Sequence, residues 1–272
     1  MTLHIIVLIK QVPDPKGYVG IKEDGTLDRE KASSIINPYD KNALEAALTI
    51  KEKSDAKITA VSMGPPKARD VLREALAMGA DEAVLLSDKR LPGSDTLATS
   101  YALACAIKKL DCYDLILCGM EASDGNTGQV GPGVAERLGI PQITYVDNLK
   151  VGGKYAEARR MLEGGYEIAR VKLPALLTIT NTANEPRGTT FAGIIRATKM
   201  PLTALSTKDI GVDECKIGLS GSPTKIRKIE KMISQRDRYM VEGETIDEVI
   251  DNFLKRLEED DVSLGNSYER RI

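Results

Sequence analysis

The sequence has no Trp, two Phe and a single His among its 272 residues. A core must therefore be aliphatic, and a hydrophobic content of 42% can supply one from Ile, Val, Leu and Ala. The length allows one large domain or two small ones. With one histidine, no Ser–His–Asp set exists beyond His4. His4 stands near the start of an apolar run and reads as a strand-end residue rather than a base. Cys105, Cys112, Cys118 and Cys215 show no CxxC spacing and, beside one His, no zinc pattern. They read as reduced, buried cysteines of a cytosolic protein. Lys and Arg number 38 against 40 Asp and Glu, a net charge of −2. That balance argues against a general nucleic-acid binder, which carries a basic excess. No segment approaches the roughly 18 apolar residues that span a membrane. The opening apolar run is short and follows no basic region, so it reads as a buried strand and not as a signal peptide.

The common nucleotide signatures are missing too. There is no GxxxxGK[ST] loop, which argues against a kinase-like NTPase. There is no GxGxxG after the first strand, where the chain reads KQVPDPKG. The Ser-Gly-Gly-x-Asp-Ser pyrophosphate loop of adenylating enzymes is absent from the same place. No carboxylate pair stands out from the surface acids, and no internal repeat or low-complexity tract is present. A chain that holds a nucleotide without groups to cut it leaves the hard chemistry to a cofactor.

What is present centres on Gly119–Gly133, GMEASDGNTGQVGPG. An apolar run, Leu115–Cys118, precedes it and a helical pattern, Val134–Leu138, follows. A strand end, a small polar loop and a helix N-terminus make an anion site, because free N–H groups and the helix dipole point at the ligand. The loop reads either as a phosphate grip or as a polar turn region.

The rest of the chain alternates strand and helix. Leu3–Ile9, Lys57–Met63, Ala83–Leu86 and Asp114–Cys118 are apolar runs suited to parallel strands covered on both faces. Gly17–Arg29 reads as a small inserted hairpin around Glu23-Asp24-Gly25. Asn37-Pro38-Tyr39-Asp40 reads as a helix start, with Asn37 as cap and Asp40 reaching back as in a capping box. Ser94-Asp95-Thr96 offers caps for a helix with Leu97, Tyr101, Ala104 and Ile107 on its inner face. The first ~140 residues thus predict an open α/β sheet with right-handed crossovers. In such sheets ligands sit beyond the carboxyl ends of the strands, at a switch in strand order. The loops after Ile9, Met63, Leu86 and Cys118 share that edge.

Past Pro141, Tyr145–Val151, Lys154–Leu162, Tyr166–Lys172 and Ala175–Thr180 read as an antiparallel addition, with hairpin turns at Gly152-Gly153 and Gly164-Gly165. Asn184–Met200 follows. Phe191, Ile194 and Ile195, flanked by Arg187, Arg196 and Lys199, suit either an apolar docking tip rimmed by cations or a helix tucked into the core. Thr224–Arg238 carries six Lys/Arg against two acids, and Val241–Ile272 ten acids against four bases. Ile246, Val249, Ile250, Phe253, Leu254 and Leu257 draw an apolar stripe on a charged helix, which must be buried on this chain or on a partner.

Together these motifs resemble the β (small) subunit of electron transfer flavoproteins over essentially the whole length. The resemblance rests on KQVPD at Lys10–Asp14, NPYD at Asn37–Asp40, VSMGPP at Val61–Pro66 and ALAMGADEA at Ala75–Ala83. It continues with SDTLATS at Ser94–Ser100, SDGNTGQVGP at Ser123–Pro132 and NEPR at Asn184–Arg187. It implies a Rossmann-like, adenine-nucleotide-binding α/β domain over residues 1–222, an open mostly parallel sheet with helices on both faces and an antiparallel addition. A docking loop at about residues 184–200 and a C-terminal helical arm at 223–272, contacting the partner subunit, complete it. It implies a heterodimer with a flavin-bearing α subunit, electron exchange with a flavin dehydrogenase, and no membrane span.

In the family's plain type the β subunit holds structural AMP. In its bifurcating type it holds a second FAD that takes a hydride from NADH and splits the pair, one electron going to ferredoxin or flavodoxin. Carried onto this sequence, cofactor contacts fall to Leu8, Lys10, Asn37, Pro38, Tyr39, Asp40 and Met63. Asp95 and Thr96 meet the diphosphate or ribityl part. Ser123, Asp124, Gly125, Asn126, Thr127, Gly128, Gln129, Val130, Gly131 and Pro132 close over the phosphates. Partner docking falls to Phe191, Ile194, Ile195, Arg196 and Lys199, with Phe191 where a Leu is common. The SDGNTGQVGP, VSMGPP and SDTLATS segments are similar to the bifurcating forms. A universal-stress-type nucleotide-sensing module shares the α/β core, but the antiparallel segment and long acidic tail exceed it.

Overall fold

The computed structural model describes residues 2–14, 33–110, 112–224 and 239–260. The expected hairpin at Gly17–Arg29 and the basic run in residues 225–238 lie outside them. Two compact units are distinguished, Met1–Lys225 and Ile226–Ile272.

In the first unit the chain runs β1 (Leu3–Leu8), β2 (Gln11–Pro13), β3 (Ser34–Ile36), α1 (Pro38–Lys53), β4 (Ala56–Met63), α2 (Arg69–Met78) and β5 (Glu82–Leu86). It continues with α3 (Thr96–Lys109), β6 (Leu115–Gly119), α4 (Val130–Leu138), β7 (Gln142–Gly152), β8 (Tyr155–Leu162) and β9 (Gly165–Lys172). It ends with β10 (Ala175–Ile179), α5 (Phe191–Lys199) and β11 (Thr203–Leu205). Nine strands form one sheet in the order β11-β5-β4-β1-β6-β10-β7-β8-β9, while β2 and β3 pair as a separate antiparallel ribbon.

The β-branched run of β1 puts it at the centre, parallel to β4 on one side and to β6 on the other. Its side chains alternate between two layers. Ile5 and Val7 pack with α1 and α2, whereas Ile6 and Leu8 pack with α3 and α4. Ile5, Ile6 and Val7 are wholly buried, and each such side chain contributes about 1.5–3 kcal/mol relative to exposure. The chain steps outward from β1 to β4 and β5, then returns to the other flank of β1 at β6. The strand order therefore reverses between β1 and β6, which sets the crevice of the sheet there.

Two sequence expectations are corrected. Ala175–Ile179 is no part of the antiparallel addition. It pairs parallel to both β6 and β7, so only β7, β8 and β9 meander. Its five residues are all buried, which is the pattern of a central strand, and that pattern outweighs its place after two hairpins. The second concerns α3. Ala104 and Ile107 are buried, but Leu97 is 49% exposed and Tyr101 is half-buried. The inner face is drawn by the small residues Ala98, Ala102 and Ala106, which let α3 lie close to its neighbours. Both hairpins turn at glycines in the left-handed region, Gly153 (φ 59°) and Gly164 (φ 78°), where a side chain would add strain.

In the second unit α6 (Ile246–Glu259) starts at Thr245, whose hydroxyl accepts the Glu248 N–H. None of its residues is buried, and Ile246, Ile250, Phe253 and Leu254 stand exposed along one stripe. Among the described residues no helix is long and apolar enough to cross a membrane.

Candidate functional site

The crevice at the strand switch is stapled by one carboxylate. Asp40, in the first turn of α1, accepts the Lys10 N–H at 2.7 Å with one oxygen and the Gly119 N–H at 2.8 Å with the other. It thereby ties the end of β1 to the end of β6. Asn37 does the same one turn earlier. Its amide donates to Glu121 O at 2.8 Å, its carbonyl accepts the Ser123 N–H at 3.1 Å, and its own N–H meets Lys10 O at 2.9 Å. The expected capping box is therefore absent. Pro38 opens α1 as the sequence suggested, but Asn37 makes no side-chain cap bond. Both polar side chains serve the loops across the crevice instead of the helix end.

Burial dominates the chemistry of Asp40. It pushes the carboxyl up from 3.8 to about 6, against the Lys10 and Gly119 N–H groups, the Asn37 amide and the Lys10 charge, which favour the anion. Burial, and secondly the Asp40 charge, also push the Cys118 thiol up. Cys118 is thus a small apolar group and not a nucleophile.

The polar loop is anchored at both ends. Asp124 pairs with Lys10 at 2.6 Å, and Gln129 accepts the Thr96 hydroxyl at 2.7 Å, which links the starts of α3 and α4. Asn126 (φ 47°) and Gly128 (φ 62°) adopt left-handed backbone within the loop. The glycines then divide by task. A Cβ on Gly119 would stand 2.5 Å from Tyr39 Cβ and 2.6 Å from Asp40 Oδ1. One on Gly131 would press Cys118 and Thr178, and one on Gly133 would press Ser100. These three let α1 and α4 pack tightly. Of the glycines in Gly119–Gly133, Gly125 at the exposed loop tip is the one with no atom near an added Cβ. The first turn of α4, at Val130–Pro132, carries the helix's unpaired amide end at the same edge.

Asp95 caps α3 by accepting the Ala98 N–H at 3.0 Å, as its position suggested, and also takes the Thr224 N–H at 3.0 Å. Burial raises its pKa, and these N–H bonds together outweigh that and lower it. Leu8 is buried with its side chain in the core and offers the crevice only its backbone. Met63 closes β4 at the same edge, half-buried. Thus β1, α1, β4, α3, the polar loop and α4 bring Leu8, Lys10, Asn37–Asp40, Met63, Asp95, Thr96 and Ser123–Pro132 to one side of the sheet.

Phe191, Ile194, Ile195, Arg196 and Lys199 lie elsewhere. They form a helix rather than a loop, lying along α2, with Ala197 as its one buried residue. Gly193 abuts Ala77 O, and Arg196 donates to Leu76 O at 2.8 Å. Since α2 ends just before β5 begins, the apolar start of α5 belongs to the amino edge of the sheet. Phe191 is 80% exposed there. The strap leading to it is held by Arg187, which binds the buried Glu45 at 2.8 Å and Glu52 at 2.6 Å. Burial raises the Glu45 pKa, and the Arg187 bonds overcome this and hold it below the usual range.

Sequence reasoning missed Tyr145. It takes a left-handed backbone (φ 58°) where β7 shifts register against β10, and donates its N–H to Thr178 Oγ1 at 3.0 Å. Its hydroxyl lies beside Gly128. Nothing in an apolar–polar strand pattern marks such a bulge. Among the described residues no group of His, Cys, Asp and Glu could hold a metal ion. Among the described residues the site has polar loops and a helix end, and no nucleophile paired with a base.

Comparison with known proteins adds to this geometry. A family model described as "Electron transfer flavoprotein domain" matches residues 24–210. The chain is similar to the electron transfer flavoprotein subunit beta of Clostridium acetobutylicum, 47% identical over 91% of this chain and 93% of that one. It is 49% identical to the subunit of the same name from Megasphaera elsdenii, over 84% of this chain and 87% of that one. It is 43% identical to the caffeyl-CoA reductase-Etf complex subunit CarD of Acetobacterium woodii, over 94% and 98%.

Proposed function

The chain belongs to the electron transfer flavoprotein β-subunit family, and from that premise we propose that it binds FAD in the crevice between β1 and β6 and works in flavin-based electron bifurcation. The observation that carries this reading is the stapled crevice itself. Asp40 and Asn37 spend their side chains on fixing the two loops that flank the strand switch. That leaves the side chains of Ser123, Asn126 and Thr127 and the start of α4 to face a ligand. The donor set suits a diphosphate, since amide N–H groups and a helix end stabilise anionic oxygens.

When bound, the flavin supplies acceptance of a hydride from NADH and release of electrons to separate acceptors. The chain's own residues bind and orient it. Lys10 and Asp124 fix the loop beside the end of β1, and Thr96 and Gln129 hold the helix starts against each other.

In this reading the partner is an α subunit carrying its own flavin, and residues 223–272 form an arm that embraces it. The exposed stripe of α6 supports that assignment. Electrons leave to a low-potential acceptor, ferredoxin or flavodoxin, and through the α subunit to a flavin dehydrogenase. The caffeyl-CoA reductase name of the Acetobacterium relative supports a reductase of CoA thioesters as that dehydrogenase. Its docking surface is the exposed start of α5, at Phe191, Ile194 and Ile195, rimmed by Arg196 and Lys199. The free cysteines accord with a cytoplasmic setting. The alternative is the plain type, with AMP in the same crevice. Flavin and AMP analysis of the purified heterodimer separates the two.

A further inference from the structure

A second concave site lies on the outer side of α3. Leu97, Tyr101, Ala104, Cys105 and Lys108 of α3 form one wall, Arg137 of α4 another, and residues 215–223 the third. The cavity is open to solvent on one side and has a volume of about 680 Å³, within the range of pockets that take small organic ligands. Leu97 and Tyr101, which a purely core-facing α3 would bury, are what shape it.

The lining is polarised. Lys108, Arg137 and Lys216 are cationic, and no lining residue is acidic, although the whole chain has a net charge of −2. Lys216 shares its charge with Asp213 at the rim, at 3.2 Å. Arg137 donates one nitrogen to Leu97 O at 3.1 Å, but its Nε is buried with no partner among the described residues. The Arg137 and Lys216 charges also both stand near the Tyr101 ring, at 5.9 and 5.8 Å from its centre, so the ring helps hold them together. An arginine fork beside two lysines suits phosphate oxygens better than a single carboxylate.

We propose that this cavity binds a phosphate-bearing small molecule of about mononucleotide size, at a site separate from the crevice between β1 and β6. Asp95 and Ser222 connect the two places. The Asp95 N–H donates to Ser222 Oγ at 2.8 Å, Ser222 lines the cavity, and Asp95 caps the helix whose first turn reaches Gln129. Occupancy therefore bears on the start of α3.

The test uses the heterodimer with its resident nucleotides retained. ADP and pyrophosphate are the probes, titrated by calorimetry, with alkylation of Cys215 followed by peptide mass spectrometry. The expected result is one added ADP site per heterodimer, with Cys215 shielded from alkylation and no resident nucleotide released. Pyrophosphate competes for the same site. Arg137→Gln weakens ADP binding by roughly tenfold or more. Lys216→Gln, at an exposed position that leaves folding intact, weakens it in the same direction. The proposal is overturned if no probe binds at millimolar concentration, or if both variants bind as the wild type does. It is equally overturned if ADP binds only by displacing a resident nucleotide.

Discussion

Asp40 shows how one side chain can carry a site without touching its chemistry. The sequence offered a cap, because an acid three residues after Asn is the usual box pattern. The carboxylate is instead buried between two strand ends, with a pKa of about 6 against an ordinary 3.8. Between pH ~4 and ~6 the folded chain keeps a proton there that the unfolded chain has released. Stability from this group is therefore full below about pH 4 and declines as pH rises through about 6, by about 3 kcal/mol in all. Denaturation of wild type and Asp40→Asn across this range should show that decline in their difference, and a flat difference would contradict it. Gly119 is the companion residue. Gly119→Ala drives a methyl into Tyr39 and Asp40 and should cost about 1–3 kcal/mol. It should also weaken retention of the bound nucleotide, measured by gel filtration of the heterodimer. An alanine that changes neither would show that the close approach of α1 is slack.

At the scale of elements, the parallel strands were legible because both-face burial writes continuous apolar runs. Leu3–Leu8 and Ala56–Met63 fall within a residue or so of their expected bounds. The partnering of Ala175–Ile179 was not legible, because a buried strand shows no sign of which neighbours it chooses. The strap before α5 was likewise hidden. NEPR reads as a motif, but the Glu45 that Arg187 grips is 142 residues away. Arg187→Ala leaves Glu45 buried without its partner and should destabilise the chain by about 1–3 kcal/mol. The Glu45 pKa is lowered in the fold, so this contribution is present above its unfolded value and fades as pH falls through the folded one. The loss in Arg187→Ala should thus shrink in acid. α5 gives the opposite kind of prediction. Phe191 is exposed, so Phe191→Ser should leave the melting temperature unchanged and reduce electron transfer to the partner dehydrogenase roughly tenfold or more. An unchanged rate would remove α5 from the docking surface.

For the whole molecule, fold and family could be read from spaced motifs whose order matched, even though the familiar glycine and phosphate-loop signatures were missing. That the candidate residues share one edge of the sheet was legible, since every loop named for them follows a parallel strand or opens a helix there. Their internal wiring was not. Lys10 finds Asp124 across 114 residues of chain and Asn37 finds Ser123 across 86, and no local pattern encodes such pairs. Tyr145 and the cavity outside α3 were invisible for the same reason. The central claim is that the crevice between β1 and β6 holds a flavin dinucleotide. Quantifying flavin and AMP released from the purified heterodimer tests it most directly. The account predicts two FAD per heterodimer, no AMP, and reduction of the flavin by NADH. One FAD with one tightly bound AMP would contradict it.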